Sequence, residues 1–223
     1  MSERGADGAG PTVSFEVEDA RVVDFAAVPT LGFRVRIACA DGGPIRALTL
    51  DVAVRIAADR RHYEPEERAR LADLFGAPEQ WGRSLRPLPW CRTALQVGRF
   101  DGATTVEMGV PCTYDLEVKA AKYFQALRSG TVPLEFLFGG SVFYGAADGR
   151  LRVARLARDR TVSYRMPTRI WRAVMERYFP DGAWIRIGRD LLDRINRYRI
   201  ERALPTCEAA LDEMLAATEE EDR

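Results

Sequence analysis

Residues 48–56 alternate without a break, with Leu48, Leu50, Val52, Val54 and Ile56 on one side and Asp51 and Arg55 on the other. A period of two is the mark of a strand whose one face meets a core while the other meets a more polar surface. Such a strand needs neighbours, and the sequence supplies them. Residues 13–17 alternate in the same way, as do residues 31–38, which carry Phe33, Val35 and Ile37 on one face, and 104–110, which carry Val106, Met108 and Val110. The turn Asp41-Gly42-Gly43-Pro44 leads into the central strand. Residues 132–138 and 141–144 are apolar and aromatic between Gly and Pro boundaries, and 150–153 follow the turn Ala147-Asp148-Gly149, so two or three further strands are expected there.

Helical periods fill the spaces between. Residues 65–75 open on Pro65, place Glu66 and Glu67 at the positive helix end and close on Gly76, as an insertion between strands would. Pro87 and Pro89 make 81–90 irregular or an edge segment. Leu116, Ala120, Tyr123, Phe124 and Leu127 fall at helical spacing, with Asp115 four residues before Lys119 and Ser129-Gly130 as the stop. Pro167 starts a helix with the stripe Ile170, Trp171, Val174, Met175 and Tyr178, ended by Pro180-Asp181-Gly182. Residues 183–187 read as a short strand or a turn. Two more helices follow, one turning Leu191, Leu192, Ile195 and Tyr198 inward, the other Cys207, Ala210, Leu211, Met214 and Leu215.

Strands grouped with few β-α-β alternations predict an α+β protein, an antiparallel sheet with helices on one side plus a C-terminal helical extension. The expected layout is a disordered tail over 1–11, an α+β core domain over 12–165, a helical extension packed on it over 166–217 and an acidic tail over 218–223.

The sequence excludes more functions than it suggests. No uncharged apolar run approaches the roughly 18 residues of a membrane span, and no apolar leader precedes residue 12, so a cytoplasmic protein is expected. Cys39, Cys91, Cys112 and Cys207 stand 52, 21 and 95 positions apart, and His62 is the sole histidine. Clustered metal ligands and a cysteine–histidine couple are therefore both missing, and neither a metal, a cofactor nor a catalytic residue is expected. Gly5, Gly8 and Gly10 lack the strand and helix that a dinucleotide loop needs. Gly139-Gly140-Ser141 lacks the pattern of a phosphate loop or a hydrolase elbow and suits a bulge or tight bend between strands. The pair Glu66 and Glu67 reads as exposed, with ordinary acidity.

Residues 150–202 hold fifteen Arg against six acids, whereas 203–223 hold seven acids against Arg223. A stripe of Arg189, Arg194, Arg197 and Arg199 could meet a polyanion, but Asp190 and Asp193 pair with two of these at helical spacing, which argues against nucleic acid. The rings Tyr123, Phe124, Phe136, Phe138, Phe143 and Tyr144 cluster around the helix–strand unit. They exceed what one sheet face can bury, so Phe136, Phe138, Phe143 and Tyr144 become candidates for a groove that accepts a partner protein.

The runs VPCTYDLEVKAAKYFQAL at 110–127, VPLEFLFGGSVFY at 132–144, WRAVMERYFPDGAWIRI at 171–187 and LPTCEAAL at 204–211 resemble an uncharacterised, mainly actinobacterial family named only as a domain of unknown function. Its members tend to be encoded beside nickel-iron hydrogenases and their maturation factors. The resemblance implies a non-catalytic accessory role in assembling that enzyme, with a hydrogenase subunit or maturation factor as partner and room for an oligomer. More distantly, VSFEV, LTLDVAVRI and YFQALRSGTVPLEF are similar to the first strand, central strand and helix–turn–strand of the export chaperone SecB, which implies a client-binding groove. The insertion at 59–92 and the helices after 165 depart from that chaperone. The alternatives are an Arg-rich nucleic-acid-binding protein and an enzyme whose site only folding assembles.

Overall fold

The computed structural model describes residues 10–40, 43–112, 118–146, 149–157, 161–180 and 187–221. The expected turns at 41–44 and 147–149, the start of the helix at Leu116 with its Asp115–Lys119 pair, and nearly all of 183–187 lie wholly or partly outside them. The chain forms two compact units, Met1–Pro180 and Asp181–Arg223.

Among the described residues the first unit holds nine strands: β1 (Val13–Val22), β2 (Thr30–Cys39), β3 (Pro44–Ile56), β4 (Leu88–Val97), β5 (Phe100–Asp101), β6 (Ala103–Pro111), β7 (Thr131–Gly145), β8 (Leu151–Leu156) and β9 (Thr161–Pro167). They form two antiparallel sheets rather than one. The first runs β1-β2-β6. The second runs β4-β3-β7-β8, with β5 joined to β3 and β9 to β7. The α+β, antiparallel character is as the alternation predicts. The second sheet layer arises because β1, β2 and β6 turn Val13, Phe15, Val17, Leu31, Phe33, Val35, Ile37, Met108 and Val110 inward against Leu48, Leu50, Val52, Val54 and Ile56 of β3. Rings mark the seam: Phe15 stacks on Phe138 with centroids 4.4 Å apart, and Phe33 meets Phe136 edge-on at 5.1 Å.

Helices close the sandwich. α1 (Pro65–Phe75), α2 (Trp81–Ser84), α3 (Val118–Ala126) and α4 (Thr168–Tyr178) belong to this unit. α3 buries Ala120, Tyr123 and Phe124 and turns Lys119 and Lys122 outward. Phe124 stacks on Trp171 of α4 at 4.2 Å, and both meet Trp90 of β4. That Trp sits at a register slip between Val54 and Arg55, on an edge strand that tolerates Pro89. The edge reading of Pro89 is right, but β4 continues to Val97, where weak alternation hid it.

The second unit is a helical hairpin of α5 (Arg189–Glu201) and α6 (Cys207–Glu221). The Tyr198 hydroxyl donates to Glu213 at 3.1 Å, and Arg202 pairs with Glu213 at 3.0 Å, tying the helices side by side. Ala203, at φ 53°, turns the chain between them.

Candidate protein-binding face

The site begins with the strand that the sequence splits in two. Residues 132–138 and 141–144 are one strand, β7, paired to β3 on one side along almost its whole length. On its other side the partner changes. β9 pairs with residues 131–137 and β8 with 140–145. Gly139-Gly140 marks the changeover without a register slip against β3, so no bulge forms there. Gly140 has φ 144°, and a Cβ on it would collide with the Thr49 carbonyl oxygen on β3.

Within this strand Phe136 and Phe138 point into the sandwich and are fully buried, whereas Phe143 and Tyr144 are half-buried. Only the last two reach solvent. On the outer face of the second sheet Phe143 lies between Ala47 of β3 and Val153 of β8 in register. Gly145 pairs with Leu151 and presents no side chain over it. Leu151 is 65% exposed and Val153 58%. β8 ends the sheet, with no strand beyond it among the described residues. A shallow depression of about 500 Å³ at this edge is lined by Gly140, Ser141, Val153, Arg155, Leu156 and Ala157. Sequence reading placed a strand at 150–153 but gave no role to Leu151 and Val153, whose exposure depends on which strand ends the sheet.

The connection from β1 to β2 offers one more exposed ring. Phe25 is 96% exposed at φ 59°, a left-handed backbone that costs a bulky residue about 1–2 kcal/mol. The loop is held by Tyr178 of α4, whose hydroxyl donates to Ala26 at 3.1 Å, and by the Asp24–Arg177 pair at 2.9 Å. Arg177 also lies over the Phe25 ring.

The polar clusters hold the fold together. Glu67, expected at the surface, is buried on α1. Arg61 grips both its oxygens at 2.8 and 3.1 Å and also donates to the carbonyls of Ser129 and Thr131. The N–H groups of Arg128 and Glu64 donate to the same carboxylate. Burial alone would push the Glu67 carboxyl up. These donors outweigh it and hold the group below the ordinary carboxylate value. Glu67 thus clamps α1 to the turn between α3 and β7. Glu135, buried on the outer face of β7, pairs with Arg55 and Arg60. Each Glu67 oxygen accepts two bonds, and each Glu135 oxygen faces one guanidinium. Tyr63 donates to the Ala58 carbonyl at 2.6 Å and so must accept from Tyr123 at 2.8 Å. Burial raises both phenols, Tyr63 to about 12. His62 is exposed, and Cys39 and Cys112 are buried apart. Among the described residues no three His, Cys, Asp or Glu side chains converge as a metal centre requires. No helix among them is long and apolar enough to cross a membrane.

An antiparallel β-sandwich capped by helices, with an apolar edge, defines an α+β protein whose surface rather than a cleft is the candidate site. The chain belongs to the family of unknown function DUF6084, whose pattern matches residues 10–223. No curated protein matches it. Among solved structures it is similar to a putative ApaA protein from Bordetella pertussis, at 12% identity and TM-score 0.30, over 70% of this chain and 95% of that one. It is also similar to a β-glucosidase from Kluyveromyces marxianus, at 9% identity and TM-score 0.25, over 71% of this chain and 15% of that one. The glucose complex of β-glucosidase 3B from Thermotoga neapolitana gives 12%, 0.24, 69% and 17% in the same order. Likenesses at such TM-scores support no inference about activity.

Proposed function

We propose that this protein is a non-catalytic, protein-binding accessory factor, chaperone-like in taking an extended segment of another protein at the β8 edge. The observation that carries the reading is the exposed pair Leu151 and Val153 on a sheet-ending strand, continuous with half-buried Phe143. A strand added there would gain main-chain hydrogen bonds from β8 and bury alternate apolar side chains on the outer face. Arg152 and Arg155 lie on the same strand, so two copies of β8 would repel one another while an acidic-apolar segment would be welcomed. The Glu67 carboxylate, accepting two bonds on each oxygen, and Glu135, held between two Arg side chains, serve the fold, which favours the binding reading.

The finer reading, a role in assembly or maturation of a cytoplasmic nickel-iron hydrogenase, rests on the family resemblance and its gene neighbourhood. The likeness to SecB supports only the idea of a client held on a sheet. Affinity purification from the native cell, with the bound species identified, tests both levels. A hydrogenase subunit or maturation factor retained by the wild type and lost with Val153→Glu supports the reading. Recovery of RNA instead favours the Arg-rich nucleic-acid alternative, and recovery of nothing leaves the enzyme alternative.

A further inference from the structure

The helical hairpin carries four of the chain's exposed large apolar residues: Leu191, Leu192, Ile200 and Leu215. Two helices side by side bury only one stripe each, here centred on Ile195 and Ala210. At 100° per residue from those inward positions, Leu192 and Ile200 of α5 turn to one face of the hairpin, and Leu211 and Leu215 of α6 turn to that same face; Leu191 turns to the other. Ile200 is 69% exposed in the last turn of α5 and Leu215 64% in the middle of α6. An apolar face of this kind on a unit of about forty residues is the usual sign of a bundle completed by association.

Charge decides with what. α5 carries Arg189, Arg194, Arg197 and Arg199 against Asp190, Asp193 and Glu201, and is weakly basic. α6 carries six acids, from Glu208 to Glu221, and no base. Glu208, Asp212 and Glu219 border its apolar side and are exposed. Two hairpins placed face to face about an axis parallel to the helices set each α5 against the other copy's α6, antiparallel throughout. The alternative, with α6 against α6, would oppose those acids directly.

We infer that this face is a self-association surface, and that two copies of the chain pair through it as an antiparallel four-helix bundle in which α5 of one copy covers α6 of the other. The bundle buries Leu192, Ile200, Leu211 and Leu215 of each copy and sets Arg189 beside the partner copy's acidic rim.

The test uses the full chain in sedimentation velocity across the micromolar range, at low and high salt. The wild type should be a dimer that weakens as salt is raised. Leu215→Glu should raise its dissociation constant about tenfold or more, the equilibrium worth of one buried leucine, without shifting the melting transition of the sandwich. Glu208→Arg with Glu219→Arg should weaken self-pairing sharply, because two of the three acids that border the apolar side of α6 would then be cations set against the weakly basic α5. Mixing that variant with a second carrying Arg189→Glu and Asn196→Glu should restore a dimer. A wild type monomeric at every concentration overturns the inference. So does a dimer indifferent to Leu215→Glu, or a charge-reversed pair that fails to reassemble while each variant melts normally.

Discussion

The two halves of β7 have nearly the same sequence character and opposite fates. Residues 131–138 are buried almost throughout, Val132, Leu134 and Phe136 on the inner face and Pro133 and Glu135 on the outer. Residues 140–145 keep only Val142 buried. The outer face makes most of the difference, although Gly140 and Tyr144, which alternate with Phe143 and share the inner face with Val142, are also only half-buried. Over the first half, Arg55 and Arg60 close on Glu135 on the outer face. Over the second half, Phe143 has only Ala47 and the exposed Val153 as its row neighbours. Burial on a central strand is therefore set by what is laid across its second face. That leaves the second half free for a partner.

The largest expected effect separates the halves at once. Phe136→Ala removes a fully buried ring packed on Phe33 and should cost about 3–5 kcal/mol in denaturant unfolding. Phe143→Ala should cost well under half as much. Equal costs would mean that the second half is core as well.

Glu67→Ala should cost about 3–5 kcal/mol, because it leaves the Arg61 guanidinium buried without its carboxylate. The same clamp sets a pH dependence. The folded Glu67 sits below the ordinary carboxylate value, so its contribution is complete above about pH 4.3 and is lost as the pH falls through the folded value. Unfolding followed from pH 7 downward should show this loss in the wild type and a shallower slope in Glu67→Gln.

At the alkaline end the sign reverses in mechanism but not in outcome. Tyr63 is held up to about 12, so the unfolded chain loses that proton first. Stability should be level below about pH 10 and fall from there towards pH 12. Tyr63→Phe should flatten that fall, and an unchanged profile would contradict the buried phenol pair.

The smallest effect belongs to the other exposed ring. Phe25→Gly deletes an entire phenyl group, yet the ring is in solvent and its backbone is left-handed. Strain relief and lost contact with Arg177 should nearly cancel, within about 1 kcal/mol of the wild type. A loss near that of Phe136→Ala would contradict the loop's geometry.

How much of this was legible in the sequence follows from what each signal depends on. β3 and the inward faces of β2 and β6 were plain, because alternation is local. The second sheet layer was not, since the period of a strand does not say which sheet it joins. Glu67 and Glu135 were missed as buried charges because their partners, Arg61, Arg55 and Arg60, come from segments six to eighty positions away. The four candidate rings lie on one strand, β7, which the sequence could not divide. The division lies in the change of partner from β9 to β8 at Gly139-Gly140, and nothing within the run VPLEFLFGGSVFY encodes which flank is covered.

The central claim is that the second half of β7 and the β8 edge form a binding surface, while the first half is core. The direct measurement pairs thermal melting with suppression of aggregation of an unfolding test protein, for the wild type, Phe136→Ser, Phe138→Ser, Phe143→Ser, Tyr144→Ser, Leu151→Glu and Val153→Glu. The account predicts that the wild type suppresses aggregation and that Phe136→Ser and Phe138→Ser melt early. Leu151→Glu and Val153→Glu should melt as the wild type does but lose suppression, with Phe143→Ser nearer to these than to the core variants and Tyr144→Ser, whose ring packs on the inner face, between the two groups. A wild type that suppresses nothing, or loss of suppression only in variants that also unfold, would contradict it.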